Sequence, residues 1–185
     1  VVIVATGSDV RRAVTEELLL HADVSYLILE KVLFQRLGDY DAVEELFRQK
    51  GIKAFVNCPR RMYPVYESLK ETLCDAKEMA IAVSGSDWGL GSNAIHMLDL
   101  IAYLAGSEAP ELSCQGLDPA YRQSKRDGFL EITGTIRGRM GRCRAFSVSS
   151  YETAGVPAST FIAADPCRIH IMEGNKELEY AAASP

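Results

Sequence analysis

Two short runs of apolar residues, separated by a helical pattern, constrain the fold more than any other feature of this chain. Residues 1–5 read as a buried strand, because they are β-branched and apolar on both faces, and residues 25–29 read as a second strand. Between them, Val10, Val14 and Leu18 recur at the spacing of one helical face. A strand, a helix and a second strand in this order predict a βαβ unit with a parallel sheet.

The same alternation continues for some fifty residues. Ser8 is the predicted N-cap of the first helix. A second helix is expected from about Asp39, with Gly51 as its C-cap, and is followed by a strand at residues 53–57. A third helix is expected after Pro64, with its apolar side chains at Tyr66, Leu69 and Leu73.

The pattern changes from about residue 78, where strands dominate. The predicted strands are residues 79–83, 129–136, 143–150, 160–164 and 168–172. Residues 84–91 are rich in glycine and predict a loop, which an apolar helix at residues 93–105 follows. Gly138 and Gly141 flank a predicted hairpin turn. We therefore predict an α/β segment, residues 1–59, and an α+β domain, residues 60–185, with a mainly antiparallel open sheet.

Composition narrows the class of protein. The net charge of -5 and the dispersed basic residues indicate no nucleic-acid partner. No apolar run reaches the roughly 20 residues of a membrane helix, and no secretory signal is visible. The five cysteines are widely spaced and lack a CxxC pair, which favours reduced, mostly buried thiols in a cytoplasmic protein and no metal site.

Both ends of the chain predict a fragment. Val1 stands inside an apolar strand, with no methionine and no turn before it. The tail from Glu179 onward shows no closing element, so we expect the second domain to be truncated too.

Lys31 is the first candidate for chemistry, because it ends the second predicted strand. Ligands of open α/β sheets bind beyond the carboxyl ends of the strands. Glu30 either holds the Lys31 ammonium or points the other way along the pleat. A solvated lysine remains the alternative. Thr6, Gly7 and Ser8 form the preceding strand–helix turn, where backbone donors often meet a cofactor.

A second candidate lies on the apolar helix. Ser92, His96, Asp99 and Tyr103 are spaced by four, three and four residues, which places them on one face. His96 is expected in the first helical turn, where the helix dipole disfavours the imidazolium. A neutral imidazole there accepts a proton from a substrate hydroxyl. The alternative is a histidine bonded within a domain interface and oriented by Asp99.

Three further side chains suit substrate binding. Arg60 and Arg61 follow a predicted strand, and an arginine fork binds carboxylate or phosphate. Surface salt bridges are the alternative for these two. Trp88, the one tryptophan of the chain, either covers a sugar face or serves as a hydrophobic plug.

Taken in order, these motifs resemble the Gfo/Idh/MocA family of NAD(P)-dependent oxidoreductases. The resemblance covers residues 1 to about 106. Residues 1–6 resemble its fourth Rossmann strand, and Glu30-Lys31 resembles the start of its EKP motif. Asn57, Arg60, Arg61 and Pro64 resemble its N-x-R-x-x-P region, and residues 91–99 resemble its G-x-x-x-x-x-H-x-x-D segment.

The resemblance implies a fold, a cofactor and a set of site residues. The fold is the C-terminal part of a Rossmann-type parallel sheet followed by the α+β domain. Lys31 and His96 are the implied catalytic residues, and NAD or NADP is the implied cofactor. The implied cofactor-binding residues are Thr6, Gly7, Ser8, Glu30 and Lys31. The implied substrate-binding residues are Arg60, Arg61, Trp88, Asn93 and Asp99.

The sequence departs from the family pattern at three positions. Gly7 and Val32 each replace a proline, and Ser92 replaces an aspartate or asparagine. The family's phosphate-binding loop would precede Val1, within two βαβ units of about 30 residues each.

These motifs predict hydride transfer between a nicotinamide and a hydroxyl or carbonyl of a sugar-like, nucleotide-linked or acidic substrate. We expect the parent protein to be the active form and the fragment to be inactive. The alternative is a non-catalytic binding module. In either case the C-terminal sheet is expected to form a homo-oligomer.

Overall fold

The computed structural model describes residues 1–107, 109–152, 156–165, 167–173 and 177–182. The chain divides into two compact units, Val1–Cys58 and Pro59–Pro185. Within the described ranges, no helix combines the length and the apolar composition needed to cross a membrane.

Unit 1 is a three-stranded parallel sheet with helices between its strands. Its elements are β1 Val2–Val4, α1 Arg11–His21, β2 Tyr26–Leu29, α2 Leu37–Lys50 and β3 Lys53–Val56. The strand order is β1-β2-β3, and both pairs are parallel. Gly51 closes α2 in the left-handed conformation (φ 66°), which a glycine adopts without steric cost. The predicted βαβ pattern is confirmed, but the predicted burial of residues 1–5 on both faces is wrong, because Val4 is buried while Ile3 is 64% exposed.

The predicted start and buried face of α1 are wrong. The helix begins at Arg11 with Val10 as its N-cap, so Ser8 lies in the turn before it. Its buried side chains are Arg11, Thr15 and Leu19, one residue out of phase with the predicted stripe, while Val10 and Val14 are exposed. A polar contact of Arg11, described below, accounts for the phase, and apolar periodicity carries no signal for such a contact.

Unit 2 places helices against a seven-stranded sheet. Its helical segments are a 3-10 turn at Pro59–Met62, α3 Pro64–Thr72 and α4 Leu90–Ala105. Its strands are β4 Met79–Ser86, β5 Glu111–Leu117, β6 Arg122–Gln123, β7 Leu130–Glu131, β8 Gly134–Met140, β9 Cys143–Tyr151, β10 Ser159–Ala164, β11 Cys167–Met172 and β12 Glu177–Ala182. The sheet order is β12-β11-β10-β4-β9-β8-β5, and β6 pairs with β7 separately.

The predicted fold class is confirmed. Only the β4–β9 pair of the large sheet is parallel, and the other described pairs are antiparallel. The core of unit 2 lies between this sheet and α3 and α4. It includes Tyr66, Leu69 and Leu73, as expected from the helical pattern of α3.

Several boundaries in unit 2 differ from the prediction. Strand β4 runs on to Ser86, and α4 already begins at Leu90, so the glycine-rich loop shrinks to residues 87–89. The predicted strand at 129–136 is two strands, β7 and β8. Gly138 lies inside β8, and the hairpin turn falls at Gly141 and Arg142.

The edges of unit 2 hold strands that the sequence pattern did not reveal. Strand β5 is exposed along almost its whole length, so it shows no apolar alternation. Strand β12 forms the opposite edge of the sheet. The expectation that the chain from Glu179 onward holds no closing element is therefore wrong. Residues 183–185 lie outside the described part of the chain.

Arg142 joins the ends of two helices to the β8–β9 turn. Its Nη1 donates to the carbonyls of Leu73, Cys74 and Ala76 at 2.8–2.9 Å, and its Nη2 donates to Leu104 at 3.0 Å. These carbonyls lie at or just beyond the C-terminal ends of α3 and α4, where intrahelical donors run out. One side chain therefore satisfies both helix ends.

The cysteines are less buried than predicted. Cys143 and Cys167 are buried, but Cys74 and Cys114 are exposed. Burial raises the pKa of the Cys143 thiol to about 11, so this group stays protonated at neutral pH.

Candidate active site

The carboxyl ends of the three strands of unit 1 gather the predicted residues at one edge of the sheet. The Glu30 amide donates to Val4 at 3.1 Å and the Asn57 amide donates to Leu29 at 2.8 Å, so the ladder continues past each strand. The Asn57 side chain also donates to the Glu30 carboxylate. Glu30 is thus held by β3, and half-buried Lys31 follows it at the edge where ligands of such sheets bind.

Arg11 organises this edge and was not predicted from sequence. Arg11 is 2% exposed, and its guanidinium donates to the carbonyls of Thr6, Val32 and Leu33. It therefore ties the loop after β1 to the loop that follows Lys31. A cation at the start of a helix is disfavoured by the helix dipole, and three carbonyl acceptors offset that cost. An arginine in the first turn of a helix is ordinarily a surface residue, so the sequence pattern did not indicate that Arg11 is buried.

His96 lies deeper along α4 than the sequence suggested. Because the helix begins at Leu90, His96 falls in the second turn and not in the first. The dipole effect fades within the first turn, so it does not set the charge state of this imidazole. Ser92, His96, Asp99 and Tyr103 are all half-buried, which is consistent with one polar face. Ile95 is exposed, so the helix is not buried all round.

A carboxylate from β7 of the two-stranded β6–β7 hairpin lies at the N-terminal end of α4. Glu131 accepts hydrogen bonds from the Gly91 amide and from the Ser92 hydroxyl, the latter at 2.8 Å. It supplies the negative charge that no N-cap side chain provides here. A Cβ at Gly89 or Gly91 would lie 3.0 or 2.6 Å from a Glu131 oxygen. The glycines of this segment therefore make room for Glu131.

Both arginines predicted to bind substrate hold carboxylates of unit 2. Arg60 donates through Nε and Nη2 to Glu173, both at 2.9 Å. Arg61 donates through the same two atoms to Asp99, the Nε contact at 3.0 Å. Asp99 and Arg61, which were both expected to bind substrate, therefore bind each other. A substrate anion that bound either guanidinium group would have to displace the carboxylate that already binds it.

Glu173 is a residue that the sequence analysis missed. It lies just after β11 and binds Arg60 and the buried Tyr66 hydroxyl. Burial opposes ionisation of Glu173, but hydrogen bonds from Arg60 and Tyr66 outweigh it and lower the pKa of this carboxyl, with the charge of His96 acting in the same direction. Burial, assisted by Glu173, raises the pKa of Tyr66.

We expect Glu173→Gln to destabilise the protein in a pH-dependent way. The lowered pKa means that the carboxylate stabilises the fold above its unfolded pKa of about 4.3, and that this is lost as pH falls through the folded pKa. The loss should be about 1–3 kcal/mol near neutral pH and should shrink toward about pH 3. Urea unfolding at the two pH values measures it.

Glu111→Gln is the matched control, because Glu111 forms a bidentate but exposed pair with Arg139. Exposed pairs contribute about 0–1 kcal/mol. If Glu173→Gln lost the same unfolding free energy at both pH values, the stabilisation would not come from the ionised carboxylate of Glu173.

Trp88 and Asn93 brace the start of α4. The Trp88 indole donates to the Ser149 carbonyl at 2.9 Å, and Asn93 donates to the Trp88 carbonyl at 2.7 Å. Trp88 also packs against the core. Among the residues that the structure describes, no group of three or more His, Cys, Asp or Glu side chains is placed to hold a metal ion.

Comparison of the sequence with family models and with curated proteins gave no match. The fold, in contrast, is shared with several solved structures. An inositol dehydrogenase homolog from Azotobacter vinelandii, complexed with NADH and myo-inositol, superposes with a TM-score of 0.75 at 14% identity, covering 99% of this chain and 53% of that one.

Two further structures show the range of proteins with this fold. The WlbA dehydrogenase from Bordetella pertussis, in complex with NADH and UDP-GlcNAcA, gives a TM-score of 0.72 at 16% identity over 99% of this chain and 62% of its own. A super-repressor mutant of Gal80p from Saccharomyces cerevisiae gives 0.72 at 13% identity over 97% and 60%. At such identities the likeness establishes the fold, and the chain spans 53–62% of these three proteins.

Proposed function

We propose that the protein is an NAD(P)-dependent oxidoreductase that transfers a hydride between the nicotinamide and a hydroxyl or carbonyl carbon of a sugar-like substrate. The observation that carries the proposal is the edge of unit 1 where Thr6, Glu30, Lys31 and Asn57 meet. The fold is shared with dehydrogenases solved with NADH, which supports the resemblance to the Gfo/Idh/MocA family.

The residues at this edge fit a nicotinamide nucleoside. The Thr6 Oγ1 atom is buried and lacks a hydrogen-bond partner in the described part of the chain, so it has bonding capacity for a ligand. Thr6, Gly7, Ser8, Glu30 and Lys31 would hold the cofactor. The bound nicotinamide supplies the carbon that takes up or gives the hydride.

Lys31 and His96 are assigned the remaining chemistry. The Lys31 ammonium donates to the substrate oxygen, which stabilises negative charge on that oxygen as the proton leaves. The His96 imidazole accepts this proton in oxidation and returns it in reduction. Because Arg60 and Arg61 already hold carboxylates, we assign them to positioning Glu173 and Asp99 in preference to binding an acidic substrate.

A non-catalytic binding module is the second candidate, and one surface favours it. Phe161, Ala82 and Ser147 lie side by side on three neighbouring strands, next to a row formed by Ala163, Ala80 and Ala145. Phe161 is 44% exposed. A mostly apolar sheet face of this kind suits a second copy of the same sheet. The Gal80p protein that shares the fold is named as a super-repressor mutant.

Turnover and assembly measured on one sample of the full-length protein separate the two candidates. We expect saturable binding of NAD(H) or NADP(H) and nicotinamide-dependent oxidation of at least one polyol or aldose. A dimer in light scattering that binds neither nucleotide and turns over no polyol would sink the oxidoreductase proposal in favour of the binding module.

A further inference from the structure

A cavity of about 320 Å³ lies within unit 2, beside Trp88 and Asn93. It is lined by the β4–α4 loop, the β6–β7 hairpin and the end of β9. Its volume is at the lower end of the range for small-molecule sites, which suits a ligand of about one sugar ring. Trp88 lines it from the loop and Ser150 from β9.

Two polar groups in the wall of this cavity lack partners. Ser150 is 1% exposed, and its hydroxyl makes no hydrogen bond to any described residue. The Nε atom of Arg122, on the hairpin, is likewise buried and unbonded within the described ranges. Buried polar groups nearly always have a partner. Two donors at the wall of one cavity therefore point to a ligand that carries acceptor oxygens.

The charges of the cavity disfavour an anion. Three carboxylates line it, those of Asp87, Glu131 and Glu152, against two cations, Arg122 and Lys125. Both cations are already paired, Arg122 with Glu152 and Lys125 with Asp87 at 3.3 Å. An incoming carboxylate or phosphate would meet like charge, and like-charge contacts in a binding site are strongly unfavourable.

We propose that this cavity binds a neutral polyol through adjacent hydroxyl groups and discriminates against carboxylated or phosphorylated sugars. Hydroxyls donate to the Asp87 and Glu152 carboxylates and accept from Ser150 and Arg122, so the two unpartnered groups of the wall gain a partner. The Trp88 ring offers its apolar surface to the ring carbons. The identification of this polyol as the substrate rests on the oxidoreductase function proposed above, whereas its binding does not.

Trp88 reports occupancy directly, because it is the single tryptophan of the chain. Its fluorescence is followed while the protein is titrated with matched neutral and acidic sugars, such as glucose with glucuronate and galactose with galacturonate, and with myo-inositol. We expect a saturable change with at least one neutral polyol. Its acidic counterpart should require a concentration at least about tenfold higher.

Two variants test the assigned contacts. Ser150→Ala removes one donor without leaving a partner unpaired, and should weaken polyol binding by about three- to tenfold. The double variant Asp87→Asn/Glu152→Gln removes two negative charges and should narrow the preference for the neutral sugar by about tenfold. Glu111→Gln, in the exposed pair with Arg139 on β5 and β8, is the control and should leave both affinities unchanged.

Equal or tighter binding of the acidic sugars would overturn the proposal, as would a silent Trp88 with every polyol or an unchanged affinity in Ser150→Ala. The proposed reaction fails separately. Turnover of an acidic sugar would leave the oxidoreductase function standing and refute the neutral preference. Polyol binding without turnover in the presence of either nucleotide would refute the oxidoreductase function and leave the polyol site standing.

Discussion

Replacing Lys31 with methionine should lower kcat about a thousandfold, which is the scale expected when a charged donor to the reacting oxygen is lost. Methionine keeps much of the length and apolar stem of lysine, so the packing around the β2 end is preserved. The affinity for the nicotinamide nucleotide should fall much less than kcat, because the other four residues proposed to hold the cofactor are unchanged. Steady-state rates and nucleotide titration of the full-length protein measure the two effects.

Lys50→Met is the matched control for this variant. Lys50 is the exposed last residue of α2 in the same unit, so its replacement changes the net charge equally without touching the β2 end. A Lys31→Met protein that keeps the rate of the Lys50→Met protein would remove Lys31 from the mechanism.

Replacing His96 with asparagine should lower kcat/KM by about 10²–10⁴-fold, the usual contribution of a general base. The pH profile provides a second readout. In the oxidation direction the neutral imidazole is the active form, so the rate should rise with pH as the imidazole loses its proton. That limb should be absent in His96→Asn, because the amide does not titrate.

His21→Asn is the corresponding control. His21 is exposed on α1 and pairs with Glu17 at 3.0 Å, so its loss should leave the rate and the pH limb intact. A pH limb that persists in His96→Asn would assign the titration to another group.

The alternation of strands and helices predicted unit 1 well, because βαβ connections follow one pattern. It overestimated the burial of the strands, since Ile3 and Phe55 are exposed in the structure. It also located Glu30, Lys31 and Asn57, since residues that follow parallel strands come together at one edge of the sheet. Burial of Tyr66, Leu69 and Leu73 followed from helical spacing in the same way.

The phase of α1 was missed for a different reason. The helix turns Arg11 inward to meet carbonyls of two loops, and a contact between residues about twenty positions apart leaves no periodic trace. The same holds for Glu131 at the start of α4, about forty residues away along the chain. Edge strand β5 escaped notice because its side chains are almost all exposed.

Arg60 and Arg61 show where sequence interpretation ends. A pair of arginines after a strand indicates an anion site, but the pattern does not tell whether the anion is a ligand or the protein's own carboxylate. The structure supplies Glu173 and Asp99 for the two forks. The acidic-substrate hypothesis loses its main support, while the cavity beside Trp88 favours a neutral ligand.

The sequence alone determined the parallel βαβ unit, the mainly antiparallel sheet and the position of the charged residues at the strand end. Each of these features depends on the spacing of apolar side chains within one element. The partners of Arg11, Arg60, Arg61 and Glu131 depended on folding, as did the orphan hydroxyl of Ser150. Those contacts join distant segments through single polar groups, and such pairings become definite only when the sheets and helices have brought the segments together.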